Sequence, residues 1–399
     1  MISLAAARQL IVDHVVARSG VAVSLDLAAG RVLAEDVVAD GFYPVGDRSQ
    51  MDGYVVRGDA VPGGFRLAGT VVAGDAPVDP VRPGEAMRIF TGALLPPDGG
   101  RVVMQEEARC DGGMVFLERF GDNRFIRAHG SEAAPGARLV AAGTRLGAVE
   151  LAVLAQVGRT HPRVVPAPVV HHLATGGELV DPSDQPGPGR IRDTNSTLLR
   201  ALVAGMGGLP FSTRRVPDDL PALVEAAHTT ADLLLISGGA SVGDYDFGAK
   251  ALRELGYTIH FDRVNLRPGK PLTFATRGNQ AAFVLPGNPV SHFVCFHTAV
   301  RLALEQAAGY PLSWPTLWLD LDGPDLIEPS PRETWWPARA TVSQGKLSVT
   351  PKPWSSSGHT FALAGTNALI LVNSESPRDG RALTLLLEPP ATLTPSPHV

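Results

Sequence analysis

The segment from Leu233 to Phe247, LLLISGGASVGDYDF, decides the expected fold, because it joins an apolar run to a polar turn rich in glycine. Its first four residues, Leu233 to Ile236, do not alternate between apolar and polar side chains. Such a run predicts a central strand of a parallel sheet whose two faces are both covered by helices. Ligands bind to such sheets beyond the carboxyl ends of the strands, which is where this turn lies.

The composition of the turn predicts a site for an anion and a cation. Gly238, Gly239 and Gly243 allow the backbone to approach a ligand closely and to direct N–H groups at an anion. Ser241 adds a hydroxyl group. Asp246 adds a carboxylate, which suits a phosphate site only if a cation such as Mg²⁺ lies between the two charges. The alternative is a strand-to-helix turn that needs glycine for its shape alone, and the turn by itself leaves both interpretations open.

The length and composition exclude several classes of protein. A chain of 399 residues is long enough for two to four domains and for a large core. A net charge of −5 argues against a nucleic-acid surface. Cys110 and Cys295 lie far apart, which gives no disulfide framework or zinc pattern and suits a reducing cytosol. Residues 1–20 predict an amphipathic helix capped by Ser3 rather than a signal peptide, and no apolar run reaches membrane-spanning length. We therefore expect a cytoplasmic protein that binds neither nucleic acid nor membrane.

Changes in composition and hydrophobic pattern along the chain predict an α/β multidomain fold. Residues 162–312 alternate strands with helices, which predicts a doubly wound α/β domain. Residues 44–138 are rich in glycine and proline and contain short apolar runs, which predicts an inserted β-rich module. This module would interrupt a mixed, mainly helical N-terminal domain made of residues 1–43 and 139–161. Residues 313–399 predict a C-terminal all-β domain that resembles a barrel.

The segment FDRVNLRPGKPLTF predicts an anion site in the α/β domain. It places Arg263, Arg267 and Lys270 in and after a short strand, and the four-residue spacing of the two arginines predicts that they share one face. Lys270 is one of only four lysines among 35 basic residues, which favours a specific role for it. Three cations among rigid prolines suit a phosphate or another oxyanion, although a solvated basic edge is the alternative.

The segment FVLPGNPVSHF repeats the pattern of a strand that ends in a turn before a helix. The turn is Pro286-Gly287-Asn288-Pro289, and the helix is expected to run from there to Gly309. A helix N-terminus carries partial positive charge and free N–H groups, so it can bind an anion. A well-capped turn without a ligand is the alternative.

Further candidate residues lie outside these segments. Glu178 at a strand end could serve as a cation ligand or a base. His171 and His172 precede it in the strand, and we interpret them as packing residues because neither has metal-ligand spacing. Trp335 and Trp336 predict packing within the C-terminal barrel. The sequence contains no nucleophile elbow, Walker loop or HExxH motif, so the expected chemistry is electrostatic.

Eight segments, taken together and in order, resemble the molybdopterin molybdotransferase (MoeA) family, which includes the E domain of gephyrin. They are GRVLAEDVVA, RSQMDGYVV, IFTGALLPPDGGRVVMQEE, ATGGELV, RIRDTNSTLLRAL, DLLLISGGASVGDYDF, RPGKPLTF and LPGNPVSHFV. The resemblance covers nearly the whole chain. It implies a four-part homodimer whose active-site cleft is shared between the subunits.

The resemblance also implies an activity and its reactants. Molybdate would be inserted into adenylylated molybdopterin, AMP would be released, and Mg²⁺ would assist. Besides a second copy of the chain, molybdopterin adenylyltransferase and proteins that mature molybdoenzymes are the candidate partners.

The resemblance assigns roles to individual residues. Catalytic roles fall on Asp52, Thr91, Glu178, Asp218, Asp246 and Lys270, of which Asp246 and Glu178 would hold the metal. Roles in binding the cofactor fall on Arg127, Glu132, Gly238, Gly239, Ser241, Gly243, Arg263, Arg267, Pro286, Gly287, Asn288, Pro289 and Ser357. No residue of PRETWWPARA is assigned to the arginine that the family carries in this region.

Two departures from the family pattern keep other functions open. Gly130-Ser131-Glu132 stands where the family commonly has Gly-Glu-Asp, and Gly177 stands where a polar residue is usual. A non-catalytic or weakly active molybdopterin-binding scaffold is therefore one alternative. A molybdopterin adenylyltransferase is another, but it leaves the MDGY module and the C-terminal β domain unexplained.

Overall fold

The computed structural model describes residues 1–238, 247–312, 314–328 and 330–387. The chain forms two compact units. The first unit comprises Met1–Ala34, Gly143–Gly147 and Pro162–Val399, and the second comprises Glu35–Ala142 and Ala148–His161. This division is coarser than the four expected domains, whose boundaries stay a prediction. None of the helices in the described ranges combines the length and apolar character that a bilayer span requires.

The first unit contains a six-stranded sheet that confirms the α/β prediction. Its strands lie in the order Phe211–Val216, Val170–Thr175, Leu233–Ser237, Gln280–Leu285, Thr273–Arg277 and Thr258–Phe261. The first four are parallel, and the last two are antiparallel to their neighbours. Helices Asn195–Ala204, Leu220–Ala226 and Phe247–Glu254 lie between strands in the chain. We call Leu233–Ser237 the central strand, and all five of its residues are buried.

Alternate residues of the central strand enter two different cores. Leu233 and Leu235 pack with the N-terminal helix Leu4–His14 and with the long helix that follows the sheet. Leu234 and Ile236 pack in a separate cluster with the helices Leu220–Ala226 and Phe247–Glu254. The prediction of a strand covered on both faces is therefore confirmed.

The long helix that was expected after the PGNP turn is not a regular α-helix throughout. It consists of an α-helix Pro289–Cys295, a π-helical turn Phe296–Val300 and an α-helix Arg301–Ala307. The chain leaves it at Gly309, which has a φ of 69°. A π turn inserts an extra residue and rotates the face that follows it, which a regular 3.6-residue period does not anticipate.

Five strands close into the C-terminal barrel: Thr316–Leu321, Glu333–Ser343, Lys346–Pro351, Ala368–Val372 and Arg381–Leu386. Closure follows because Glu333–Ser343 pairs with both Lys346–Pro351 and Ala368–Val372. Trp336 lies in the barrel core, whereas Trp335 packs against the core of the α/β sheet. Both tryptophans are buried, as the packing interpretation requires.

The second unit is β-rich, as expected. Its main sheet has the strand order Gly99–Met104, Gly53–Arg57, Glu85–Ile89, Gly63–Val71, Met114–Leu117 and Ala108–Asp111. Two short ribbons pair Arg48–Ser49 with Ile126–Arg127 and Val37–Val38 with Arg138–Val140. The unit also contains the helix Ala148–Gln156.

The helical expectation for residues 1–43 holds only in part. Helices cover Leu4–His14 and Leu25–Ala28, and Ser3 caps the first by accepting a hydrogen bond from the Ala6 N–H. Gly30, with a φ of 73°, ends the second helix.

The remaining short elements are the strand pairs Val21–Ala22 with Arg163–Val164 and Leu179–Val180 with Ile191–Arg192, the short strand Leu266–Arg267, and the 3₁₀ turns Gln105–Glu107, Pro324–Leu326 and Thr360–Leu363.

Candidate functional site

The central strand ends at Ser237, and Gly238 begins the glycine-rich turn. Gly238 has a φ of 88°, and a Cβ placed on it would lie 2.6 Å from the Thr175 carbonyl oxygen. Only glycine fits there, so local shape alone accounts for this residue. The rest of the predicted turn site lies outside the described residues, and its roles stay predictions; it comprises Gly239, Ser241, Gly243 and Asp246.

Two predicted carboxylates follow the ends of neighbouring parallel strands. Asp218 accepts a hydrogen bond of 3.2 Å from the Gly177 N–H, which ties it to the turn that carries Glu178. Glu178 is exposed, and its carboxylate folds back towards the Cα of Gly176. Both groups therefore stand at the sheet edge where ligands of parallel sheets bind.

The donor set at this edge fits a partly hydrated Mg²⁺. Magnesium takes oxygen ligands and usually keeps several waters while it binds one or two carboxylates and the substrate phosphates. Glu178 supplies such an oxygen, and Asp218 fixes the turn that carries it through the bond from the Gly177 N–H. In the part of the chain that the structure describes, no three histidine, cysteine or acidic side chains cluster as a dedicated metal site. The arrangement suits a metal that is held together with its substrate.

A cavity of about 330 Å³ lies where the α/β sheet edge meets the barrel. The short strand Leu266–Arg267 pairs in parallel with the barrel strand that begins at Glu333, with Arg267 opposite Thr334. This pairing places Arg332 on the same cavity as Arg267 and Lys270. The other lining residues are Pro268, Gly269, Pro271, Pro286, Asn288, Ser291, Glu328, Trp354, Ser355, Ser356 and Ser357.

The described lining of this cavity carries excess positive charge. It contains three cationic side chains and a single carboxylate, Glu328, which pairs with Arg267 at 3.3 Å. The side chains of Lys270 and Arg332 form no ion pair with any described residue. The cavity can therefore attract an anion, and the two unpaired cations can bind it directly.

A loop of the barrel docks on the PGNP turn at this cavity. The Asn288 side-chain N–H donates to the Ser357 hydroxyl oxygen at 2.8 Å, and the Val290 N–H donates to the Ser357 carbonyl at 3.0 Å. The Gly287 carbonyl accepts a hydrogen bond of 2.7 Å from the Asn195 side chain. The structure thus places Ser357 beside the turn that leads into the helix beginning at Pro289, and its role stays a prediction.

The expected geometry of Arg263 is wrong. Between these two arginines, only Leu266 and Arg267 lie in a strand, so the two-residue period that would put Arg263 and Arg267 on one face does not apply. The backbone at Arg263 and Asn265 instead bonds to Ile2, and the Arg263 side chain is exposed and does not line the cavity. Arg332 takes the third cationic position there.

Arg332, Ser355 and Ser356 are cavity residues that sequence reasoning missed. The one available signal was the basic residue in PRETWW, directly before a strand. Recognising its place requires the pairing of two strands that lie far apart in sequence, which no local pattern reveals.

In the second unit, the predicted residues form two local pairs. The Thr91 N–H and hydroxyl both donate to one Asp52 oxygen at 2.7 Å, and these bonds lower the pKa of Asp52 below its ordinary value. Arg127 pairs with Glu132 at 3.0 Å, with both side chains about half exposed. The longer glutamate at position 132 is therefore able to form an ion pair with the predicted basic residue.

Three family models match the chain. The MoeA N-terminal region (domain I and II) matches residues 2–158, a probable molybdopterin binding domain matches residues 171–306, and the MoeA C-terminal region (domain IV) matches residues 323–379. The cavity residues Arg267, Lys270 and Asn288 fall within the second model, and Arg332 and Ser357 fall within the third.

Curated relatives and solved structures agree with these models. A Nostoc protein named molybdopterin molybdenumtransferase is 37% identical over 88% of this chain and 84% of its own length. A Bacillus subtilis protein of the same name is 32% identical over 92% of this chain and 89% of its own. Two crystal structures of a molybdopterin biosynthesis MoeA protein from Pyrococcus horikoshii cover 98% and 96% of this chain and all of theirs, with TM-scores of 0.82 and 0.79 at 25% and 26% identity. The chain therefore belongs to the MoeA family of molybdopterin molybdenumtransferases.

Proposed function

We propose that this chain is a molybdopterin molybdotransferase, an enzyme that inserts molybdate into adenylylated molybdopterin and releases AMP, with Mg²⁺ as its cofactor. The observation that carries the proposal is the cavity in which Lys270 and Arg332 face an anion-sized space without carboxylate partners among the described residues. Molybdate is a dianion, so positive charge that no carboxylate neutralises favours its binding. The name of the curated relatives supports the same activity.

The residues of the cavity would act by binding and orienting an oxyanion. Lys270 supplies a compact ammonium group, and Arg332 supplies a planar group that can donate two parallel hydrogen bonds. Ser357 accepts its hydrogen bond from Asn288, so its own hydroxyl proton is available to donate to a ligand. Fixed donors of this kind stabilise charge that develops on oxygen without having to reorganise.

Glu178 and Asp246 would hold Mg²⁺, with Asp218 fixing the turn that carries Glu178. When bound, the metal would neutralise the phosphate oxygens of the nucleotide and so favour AMP as a leaving group. Glu178 is supported for this role by its exposed carboxylate at the strand end. Asp246 is supported only by the family resemblance.

The proposal extends to a homodimer in the cytoplasm whose cleft is shared between subunits. The family resemblance supports this assembly and also supports a molybdopterin adenylyltransferase as the source of the substrate and molybdoenzyme-maturation proteins as later partners. Light scattering across a range of concentrations tests the dimer. A monomer with full activity at every concentration would contradict it.

An AMP-release assay tests the proposed reaction. The full chain is incubated with adenylylated molybdopterin and Mg²⁺, with and without molybdate, and AMP and active cofactor are measured. We expect both products only when molybdate and Mg²⁺ are present. Nucleotide binding without AMP release would instead support the scaffold alternative, and the absence of both binding and release would overturn the family-based function.

A further inference from the structure

A buried chain of polar side chains lies directly below the edge of the α/β sheet. The Ser237 hydroxyl oxygen is 2.5 Å from His172 Nε2 and 2.6 Å from His292 Nε2. All three residues are at most 3% exposed. His172 belongs to the strand Val170–Thr175, Ser237 ends the central strand, and His292 lies in the first turn of the helix that follows PGNP. This hydrogen-bond chain thus joins three elements that support the candidate site.

The proton count of this chain requires the two histidines to hold different tautomers. A serine hydroxyl has one proton, so it donates to only one of its two neighbours. The other neighbour must donate to the serine oxygen through its own Nε2–H. One neutral histidine therefore carries its proton on Nε2, and the other carries it on Nδ1.

The groups around the two Nδ1 atoms decide which histidine carries its proton on Nε2. His172 Nδ1 lies 3.0 Å from the Thr213 hydroxyl, which can either donate to it or accept from it while donating to the Ser196 hydroxyl at 3.3 Å. Ser196 is a poorer donor for His172, because its hydroxyl bonds to Asp193 at 2.5 Å and lies 3.4 Å from His172 Nδ1. The contacts of His172 alone therefore fit either tautomer, and the surroundings of His292 decide between them.

The environment of His292 decides the direction of this hydrogen-bond chain. The backbone groups of Pro286 and Asn288 lie near the His292 ring, and because Nε2 contacts Ser237, the nitrogen left to face their carbonyl oxygens is Nδ1, which makes no well-aligned hydrogen bond. Carbonyl oxygens only accept, so a protonated Nδ1 is stabilised there and a bare Nδ1 would face two negative dipoles. Ser237 must then donate to His292 Nε2 and accept from His172 Nε2–H, so that Thr213 donates to His172 Nδ1.

We propose that His292 is a positioning residue, which holds the Pro286–Asn288 turn against the end of the central strand through a one-directional hydrogen-bond chain from Thr213 through His172 and Ser237. The inference rests on the proposed function only for the identity of the ligand. The turn carries Asn288, which binds Ser357 and lines the cationic cavity. The chain would therefore set the position of one wall of the oxyanion site.

Burial keeps both histidines in the neutral form that this chain needs. It lowers the pKa of His172 to about 3 and that of His292 to about 4. The groups that face His172 are His292, His171 and Arg200, which all disfavour its protonation, whereas Asp193 faces His292 and partly offsets its burial. Neither histidine carries charge near neutral pH.

Nitrogen-15 NMR spectra of the full chain test the tautomers without any turnover. We expect one buried histidine with its proton on Nε2 and one with its proton on Nδ1, assigned to His172 and His292 by the loss of signals in His172→Phe and His292→Phe. The same tautomer in both residues, or the reverse assignment, would overturn the proposal. This result stands even if the wild-type chain releases no AMP.

Calorimetric titration with molybdate alone tests the positioning role. His292→Phe removes both nitrogens at similar volume, and we expect it to weaken molybdate binding about tenfold, because small displacements of a binding group are costly. His292→Gln restores an acceptor for Ser237, and we expect it to recover most of the affinity. His297→Phe is the matched control, since His297 is buried on the same long helix but its ring nitrogens have no hydrogen-bond partner among the described residues.

Equal losses of molybdate affinity in His292→Phe and His297→Phe would show that His292 only fills space. A folded His292→Gln that does not recover the affinity would show the same. If the wild-type chain does not bind molybdate at all, the cationic cavity fails as an oxyanion site, and the NMR result still decides whether the hydrogen-bond chain exists.

Discussion

The predicted site residues of the two units differ in how their charges are balanced. In the second unit, Asp52 accepts two hydrogen bonds from Thr91, and Arg127 pairs with Glu132. In the first unit, the described lining of the cavity carries three cations and one carboxylate. The same residue types therefore serve two purposes, and only the uncompensated set can attract an external anion.

This comparison teaches that the local net charge indicates an anion site better than the mere presence of charged residues does. A paired cation at the surface gains little from a ligand, because it already has a partner and is solvated. An unpaired cation beside a cavity gains a charge-assisted contact when an anion enters. The comparison would fail if substitutions in both sets had similar effects on anion binding.

The largest effect is expected for Lys270→Ala. Loss of this ammonium group removes one of the two cations without an ion-pair partner in the described lining, so we expect AMP release to fall about 100-fold, as for the loss of one oxyanion-binding donor. Lys346→Ala is the matched control, because Lys346 is an exposed lysine at a barrel hairpin and its loss changes the net charge equally. AMP release is measured for both variants under saturating nucleotide.

Lys270→Arg separates charge from shape in the same assay. An arginine keeps the charge but spreads it over a planar group, so we expect partial activity between wild type and Lys270→Ala. Wild-type rates in Lys270→Ala would remove the residue from the site.

A smaller effect is expected for Arg332→Ala, and it directly contrasts the structure with the sequence-based assignment. We expect molybdate binding to weaken about tenfold in Arg332→Ala, because one charge-assisted contact is lost. Arg263→Ala should change the affinity less than about twofold, since the Arg263 side chain is exposed and does not line the cavity. Calorimetry with molybdate measures both variants, and the opposite ranking would restore Arg263 to the site.

The fold was largely predictable because its signals are local. The non-alternating run from Leu233 to Ile236 predicts a strand buried on both faces, and the two hydrophobic cores confirm it. Pro289 and Gly309 bound the long helix as expected, but the π turn between them could not be read from a regular helical period.

The site was less predictable because it depends on contacts distant in sequence. Lys270 and Asn288 follow local turn patterns, whereas Arg332 reaches the cavity only through the pairing of Arg267 with Thr334. His172 was interpreted as a packing residue and is buried, yet its hydrogen-bond chain reaches His292, 120 residues away, through Ser237. Local spacing predicts burial, but it does not identify the hydrogen-bond partner.

In the second unit, Thr91→Val tests whether Asp52 is balanced locally. Both Thr91 bonds lower the pKa of Asp52, so loss of the hydroxyl should move that pKa back towards its ordinary value while the backbone bond remains. A carboxyl group with a lowered folded-state pKa stabilises the protein above its unfolded pKa, and that contribution is lost as the pH falls through the folded pKa. We therefore expect this contribution to be smaller in Thr91→Val and its loss to be complete at a higher pH than in wild type.

Carbon-13 NMR titration of the Asp52 carboxyl measures this shift, and Thr91→Ser is the control because it keeps the hydroxyl. An unchanged Asp52 pKa in Thr91→Val would mean that the backbone bond alone holds the carboxylate.

The smallest effect is expected for the pair of Arg127 and Glu132. The two side chains are 46% and 44% exposed, so solvent and salt screen their interaction. A double-mutant cycle of Arg127→Ala and Glu132→Gln should therefore give a coupling energy of about 0.5 kcal/mol. This energy should decrease as salt is added. Chemical denaturation measures the cycle, and AMP release is measured on the same four proteins. Because the stability effect is small, a large loss of AMP release in either single variant would assign the residue to substrate binding. A coupling above about 2 kcal/mol would contradict the view that this surface pair is largely screened by solvent.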